Sequence, residues 1–205
     1  MKGTRKSGKT AAELMAELNE DPEFVARQRQ QEEAQRARVD EWRRAETPLV
    51  QHLGRVGVQV DSVWDLVNTA APYPRAMPVL LDHLQRAYPE RVREGIARAL
   101  AVPEARMGWD ILLNAFRSEP DQTTIGVKSA LGSALAEAAS DDVLDDVITL
   151  LRDKTIGENR VPLLPALLKS SNPRAWEILR ELEKDPQISK EVRRLVRICD
   201  RQRRL

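Results

Sequence analysis

Residues 73–101, YPRAMPVLLDHLQRAYPERVREGIARALA, predict two helices joined by a short turn that Pro89 marks. Apolar residues in both halves recur three and four positions apart, which is the spacing of one helix face. The second half is copied further along the chain. VREGIARAL at 92–100 aligns without a gap with VKSALGSAL at 127–135, and looser copies follow at 160–167 and 192–198. We therefore predict a helical repeat.

One cation falls in register in each copy, and the set is Arg93, Lys128, Arg160 and Arg193. These cations recur roughly every 32 to 35 residues, a period typical of stacked two-helix repeats. The first helices also match, with WDIL at 109–112 and WEIL at 176–179. One helix pair has apolar faces on two sides and buries both only between neighbours. The predicted fold class is all-α, an α-solenoid of stacked antiparallel helix pairs.

The second-helix pattern, Val-Arg followed by small residues, a branched aliphatic residue and Ala-Leu, resembles HEAT repeats, in particular the short bacterial kind. The resemblance covers residues 73 to about 204. It implies a solenoid whose second helices line a concave face. HEAT repeats carry an acid in the turn before the second helix, where it pairs with a cation of a neighbouring repeat. Glu90 fits that place loosely, whereas Thr124 and Ser189 hold it elsewhere, so the expected polar ladder is incomplete or differently built.

Composition divides the chain into three parts. Residues 1–10 are predicted to be a basic flexible tail, and residues 11–46, rich in Gln, Arg and Glu, a charged helical arm. Phe24 and Trp42 are expected to dock this arm on its own solenoid or on a second copy of the chain. Residues 47–205 form the predicted solenoid, with an N-terminal cap at 47–70 and repeats at about 73–101, 104–139, 141–169 and 172–204.

Residues 3–10, GTRKSGKT, match the formal pattern of a phosphate-binding P-loop. Such a loop binds phosphate because a buried strand delivers it to the start of a helix. Only two residues precede Gly3, and no strand pattern follows. We therefore expect no nucleotide binding at this segment.

The charge balance excludes few partners but favours none. The 205 residues carry 33 Lys and Arg against 32 Asp and Glu, which gives no general case for a nucleic-acid or membrane surface. No apolar run approaches about 18 residues, and no apolar segment follows the basic start. The expected location is the cytoplasm, without membrane contact. Cys199 is the lone cysteine, which predicts a small buried residue rather than a disulfide framework.

The sequence offers no catalytic constellation. His52 and His83 are far apart, and neither has a metal-ligand spacing such as His-x-x-x-His, so each is predicted to be a surface or helix-packing residue. No serine lies in a nucleophile elbow, and Cys199 has no evident histidine partner. We expect no enzymatic activity, no cofactor and no metal ion.

The favoured interpretation is a non-enzymatic scaffold or adaptor that holds a protein partner, or its own arm, on the concave face. The candidate partner-binding residues are Arg93, Lys128, Arg160, Arg193 and Arg197. A competing interpretation is that these cations only link neighbouring repeats.

Three other functions remain open at this point. Nucleic-acid binding is one, and a DNA glycosylase is a second, because some bacterial HEAT-like proteins excise alkylated bases. A glycosylase needs aromatic platforms, for which Trp109 and Trp176 are the candidates. A toxin-neutralising immunity-type protein is the third.

Overall fold

A computed structural model describes residues 10, 11, 15, 20–120 and 126–202, with side chains described only as far as residue 198. All regular elements in these residues are helical, and none of them is a strand. The all-α prediction is therefore confirmed. The segment 3–10 that formally matches a P-loop, apart from Thr10, and the side chain of Cys199 lie outside the described part.

The chain forms two compact units, residues 1–44 and 45–205. The division lies close to the predicted end of the arm at residue 46. Helix α1, Pro22–Arg55, begins in the first unit, and its last part is the first helix of the second unit. Its N-terminus is capped by Asp21, whose carboxylate accepts a hydrogen bond from the Glu23 N–H at 2.9 Å.

The second unit continues with nine further helices within the described residues. They are α2 (Val63–Val67), α3 (Met77–Leu84), α4 (Glu90–Ala99), α5 (Trp109–Ser118), α6 (Val127–Ala138), α7 (Leu144–Arg152), α8 (Leu164–Lys169), α9 (Pro173–Leu182) and α10 (Ser189–Gln202). Short 3-10 segments lie between them at Pro74–Ala76, Pro103–Gly108, Asp141–Val143 and Lys154–Leu163. No helix in the described ranges is both long enough and apolar enough to cross a membrane.

The third sequence repeat departs most from regular helices. Gly157 has a positive φ of 63°, which interrupts the 3-10 segment Lys154–Leu163. Pro165 lies in the first turn of α8, where its missing N–H breaks no hydrogen bond. The residues before it are left in a 3-10 conformation, so α8 is short.

Helices in the second unit pack mainly against elements near them in the chain. The second helices follow one another: α2 contacts α4, α4 contacts α6, and α6 contacts the Lys154–Leu163 segment and α8. The first helices α3, α5 and α9 contact the second helices α4, α6 and α10, in that order. Large side chains with no exposed surface fill the space between them, among them Leu100, Phe116, Leu131, Leu151 and Leu179. Each such side chain contributes about 1.5–3 kcal/mol of hydrophobic stabilisation.

Gly95 of α4 marks the closest approach between α4 and α2. A Cβ at this position would lie 2.5 Å from Val63 Cγ1 and 2.9 Å from Trp64 Nε1. The packing of α2 on α4 therefore depends on the absence of a side chain there.

Gly95→Ala is expected to lower the free energy of unfolding by about 1–3 kcal/mol, because the added methyl group forces α2 and α4 apart. Gly54→Ala, near the end of α1, is the matched control. Its Cβ would meet only Gln59 at 3.8 Å, and alanine is the better helix former, so this variant should gain about 0.5–1 kcal/mol. Urea unfolding of both variants measures the difference, and a loss of similar size in both would contradict the packing argument.

Candidate functional site

Arg160, one of the predicted partner-binding residues, is fully buried with no exposed surface. Its Nη1 donates to the Leu151 carbonyl at 2.9 Å and to the Asp185 carboxylate at 2.8 Å. Its Nε donates to the Gly157 carbonyl at 2.9 Å, and its Nη2 to the Gln187 side chain. The guanidinium is enclosed by its own chain, so the prediction that Arg160 faces a partner is corrected.

Lys128 of α6 is enclosed in the same way. Its side chain is buried, and Nζ donates to the Glu119 carbonyl at 2.7 Å. The ammonium group also lies 5.1 Å from the centre of the Phe116 ring, within the range of a cation–π contact. Lys128 therefore contacts the end of α5 instead of an open face.

Arg93 of α4 is partly exposed and forms an ion pair with Glu119, which follows α5. Its Nη1 donates to Glu119 Oε1 at 3.3 Å, and its Nη2 donates to the other carboxylate oxygen. Glu119 is itself buried. Glu119 thus joins two of the predicted cations, through its carboxylate to Arg93 and through its carbonyl to Lys128.

These contacts form a polar ladder, which we define as the cations Arg93, Lys128 and Arg160 with the acids Glu119, Asp153 and Asp185. Each acid follows a first helix, and two of the pairings are direct: Arg93 with Glu119 and Arg160 with Asp185. Asp153 holds the matching place after α7. Its pKa is lowered chiefly by hydrogen bonds from Thr155, and the charges of Arg160 and Lys128 act in the same direction.

The ladder is built differently from the one that the HEAT resemblance implies, as the sequence indicated. Thr124 and Ser189 had been given the acid position, whereas Glu119 and Asp185 provide it a few residues earlier. A signal was present in the sequence, because an acid precedes each of Lys128, Arg160 and Arg193 by seven to nine residues. An alignment of the repeats by their second helices alone does not show this spacing between acid and cation.

Arg193 and Arg197 of α10 are the predicted partner-binding residues that remain exposed. Arg193 Nη2 donates to the Glu183 carbonyl, and Arg197 Nε to the Arg193 carbonyl, both at 3.3 Å. Ile198 beside them is 44% exposed, which is high for a large apolar side chain. Partner binding by Arg193 and Arg197 stays a prediction.

Arg160→Ala is expected to lower the free energy of unfolding by about 3–5 kcal/mol, because it leaves the buried Asp185 carboxylate without its cation. The matched control is Arg197→Ala, which removes an exposed arginine and should change stability by no more than about 0.5 kcal/mol. Chemical denaturation measures both variants. Equal losses would show that the burial of Arg160 has no energetic role.

The Arg160 guanidinium holds the pKa of Asp185 below its ordinary value of 3.8, and the Gln187 N–H acts in the same direction. The unfolded chain therefore binds this proton at a higher pH than the folded chain does. The stability that Asp185 contributes is present above about pH 4 and is lost as the pH falls through the folded pKa. We expect the urea midpoint to fall steeply below about pH 4, and less steeply in Asp185→Asn. Parallel profiles for the two proteins would contradict this assignment.

A groove of 960 Å³ lies between the 84–88 turn, α4 and α5. Arg86, Arg93 and Arg117 line it together with apolar side chains that include Leu84 and Ile111. Arg117 is exposed, whereas Arg86 pairs with Asp82 at 2.5 Å and Arg93 with Glu119. Arg86 and Arg117 were absent from the predicted site, because they do not recur at the repeat period.

Next to this groove the structure brings the two histidines together, although they are 31 positions apart in the sequence. His52 Nδ1 of α1 lies 3.2 Å from His83 Nε2 of α3, and His83 Nδ1 lies 2.7 Å from the Tyr88 hydroxyl. Burial is the main cause that lowers the pKa of His83 below its ordinary 6.5, and it raises the pKa of Tyr88. The His83 ring is therefore neutral at physiological pH.

The Asp82 carboxylate lies beside the two rings. One ligand atom from each of His52, His83 and Asp82 falls within 4.8 Å of the others. Within the described residues, this is the group of three side chains whose ligand atoms lie close enough together to hold a metal ion. Spacing rules could not predict it, because the histidines lie on different helices.

The two tryptophans named as aromatic platforms occupy different environments. Trp109 is buried, and its Nε1–H donates to the Asp146 carboxylate at 2.9 Å, which ties α5 to α7. A buried ring engaged in this way has no face open to a nucleobase. Trp176 is partly exposed, with the Arg180 guanidinium 5.4 Å from its ring centre.

In comparisons with protein-family models, curated proteins and solved structures, nothing matches this chain.

Proposed function

We propose that this chain is a non-enzymatic, HEAT-like α-solenoid that binds an acidic, extended segment of a protein partner. The binding site is the basic groove, which we define as the groove lined by Arg86, Arg93 and Arg117. The observation that carries the proposal is this groove, in which three guanidinium groups border an apolar floor. Arginine binds carboxylates through two parallel hydrogen bonds, so Arg117, which is in no ion pair among the described residues, is complementary to a Glu or Asp side chain of a partner.

The solenoid part of the proposal is supported by the order of packing. The second helices α2, α4 and α6 contact one another in chain order. Two contacts of the polar ladder run in the same order, since Arg93 and Arg160 each pair with an acid that lies in the following helix pair. Quasi-one-dimensional packing of this kind is the property that defines repeat proteins.

A protein segment fits the groove better than nucleic acid does. Arg86 and Arg93 already have acidic partners in Asp82 and Glu119, so the groove carries little excess positive charge. A phosphate backbone requires several cations whose charge is not neutralised by the protein. The apolar lining, with Leu84 and Ile111, suits the alternating apolar and acidic residues of a peptide.

Arg117→Glu tests the proposal, because Arg117 is exposed and its reversal leaves the pairs of Arg86 and Arg93 in place. The probe is a set of fluorescent twelve-residue peptides of Glu and Leu, measured by fluorescence anisotropy at low salt. Wild-type binding is expected to weaken about tenfold or more in Arg117→Glu, and to weaken as salt is added.

Arg55→Glu is the matched control, since it reverses an exposed arginine at the end of α1 that does not line the groove. It should leave peptide binding unchanged. Equal weakening by both reversals would contradict the assignment to the groove, as would equal binding of Lys and Leu peptides. Tighter binding of duplex DNA than of any acidic peptide would replace the proposal with a nucleic-acid interface.

A further inference from the structure

The histidine pair is a cluster of metal-ligand type that the proposed function does not use. His52 of α1 and His83 of α3 face each other through Nδ1 and Nε2 at 3.2 Å. Asp82 completes the cluster, with a carboxylate oxygen within 4.8 Å of a ring nitrogen of each histidine. Two imidazoles and one carboxylate form a donor set that binds Zn²⁺ and related divalent transition-metal ions.

The separation of the two nitrogens suits a shared ion. Zinc lies about 2.05 Å from a histidine nitrogen, so nitrogens 3.2 Å apart subtend an angle of about 100° at the ion. A tetrahedral site requires about 109°. The ring centroids lie 5.4 Å apart, so the two nitrogens point at each other, and each ring has to turn by about 40° to direct its lone pair at a shared ion.

The Asp82 carboxylate is placed to become the third ligand. A tetrahedral zinc site has ligand atoms about 3.4 Å apart, so the carboxylate has to move by about 1.5 Å. Asp82 is exposed, and its ion pair with Arg86 is half-exposed on both sides. Pairs of this kind are weak, and the side chain can leave Arg86 for a stronger electrostatic partner.

Tyr88 supplies the outer contact that a ligating histidine usually has. Its hydroxyl lies 2.7 Å from His83 Nδ1. When Nδ1–H donates to this oxygen, Nε2 keeps its lone pair for the ion, which fixes the tautomer that a metal requires.

We propose that His52 Nδ1, His83 Nε2 and the Asp82 carboxylate bind one Zn²⁺ ion, with water in the fourth position and Tyr88 orienting His83. The ion would join the end of α1 to α3. This inference does not depend on the basic groove, although the two sites share the Asp82–Arg86 pair.

Calorimetric titration of the full chain with zinc chloride, after removal of metals with a chelator, tests the proposal. A Cys199→Ser background removes the thiol as a competing ligand. We expect one ion per chain. Loss of a ligand in His52→Gln should weaken binding by about 100-fold and in Asp82→Asn by at least tenfold, and Tyr88→Phe should weaken it by about tenfold. Asp110→Asn, an exposed acid on α5, is the matched control and should bind as the parent does.

Nuclear magnetic resonance of ¹⁵N-histidine protein gives a second readout that does not need a substitution. The chain has two histidines, so two imidazole rings account for the whole spectrum. Zinc should shift the Nδ1 signal of His52 and the Nε2 signal of His83, with saturation at one equivalent. If the imidazole signals stay unchanged at several equivalents of zinc, the two histidines only form a hydrogen bond and the proposal is overturned. Zinc affinity that survives His52→Gln in a folded protein, as judged by circular dichroism, would also overturn the proposal.

Discussion

The buried guanidinium of Arg160 is the constraint on which the packing of the C-terminal helices depends. A charge without exposed surface is tolerated only when an opposite charge and further acceptors surround it. Here the acceptors come from three places: the end of α7, the turn at Gly157 and the residues after α9. These segments must therefore meet at one point. Hydrophobic burial favours compact packing of the helices. The hydrogen bonds of the ladder in addition require these particular segments to meet, which apolar contacts alone do not.

The sequence predicted the parts of the fold that depend on local pattern. The apolar spacing indicated α4 and α6, and the structure has them at Glu90–Ala99 and Val127–Ala138. It predicted the third repeat less well, because the positive φ of Gly157 and the position of Pro165 turn much of a helix into 3-10 structure. Such backbone effects depend on what surrounds the residue, which a periodicity does not record.

The candidate sites were harder to predict than the fold, for two physical reasons. Cations that recur at the repeat period looked like an exposed row, yet the same recurrence arises when each cation links its helix pair to the next, as Arg160 does with Asp185. The histidine pair cannot be recognised in the sequence, because a separation of 31 positions carries no information on which helix faces meet. The spacing of residues within one helix does not reveal a cluster whose members come from two helices.

Asp82 connects the two proposed sites. Its carboxylate pairs with Arg86, which lines the basic groove, and it also lies beside the histidine pair. On the two proposals together, an ion that takes the carboxylate leaves the Arg86 guanidinium to the groove. The affinity for an acidic segment then rises with the ion bound, and the affinity for the ion rises by the same factor with the segment bound.

The cation–acid pairs of the ladder also have a direction along the chain. Arg93 and Arg160 each reach forward along the chain to an acid that appears about 25 residues later, as from Arg160 to Asp185. Cutting the protein after α8 would leave that cation without its acid, and removing α4 would in the same way leave the Glu119 carboxylate without Arg93. Insertion or deletion of helix pairs in such a protein would then be tolerated when the boundaries fall between one cation–acid pair and the next. Boundaries at the turns that separate helix pairs would divide a cation from its acid.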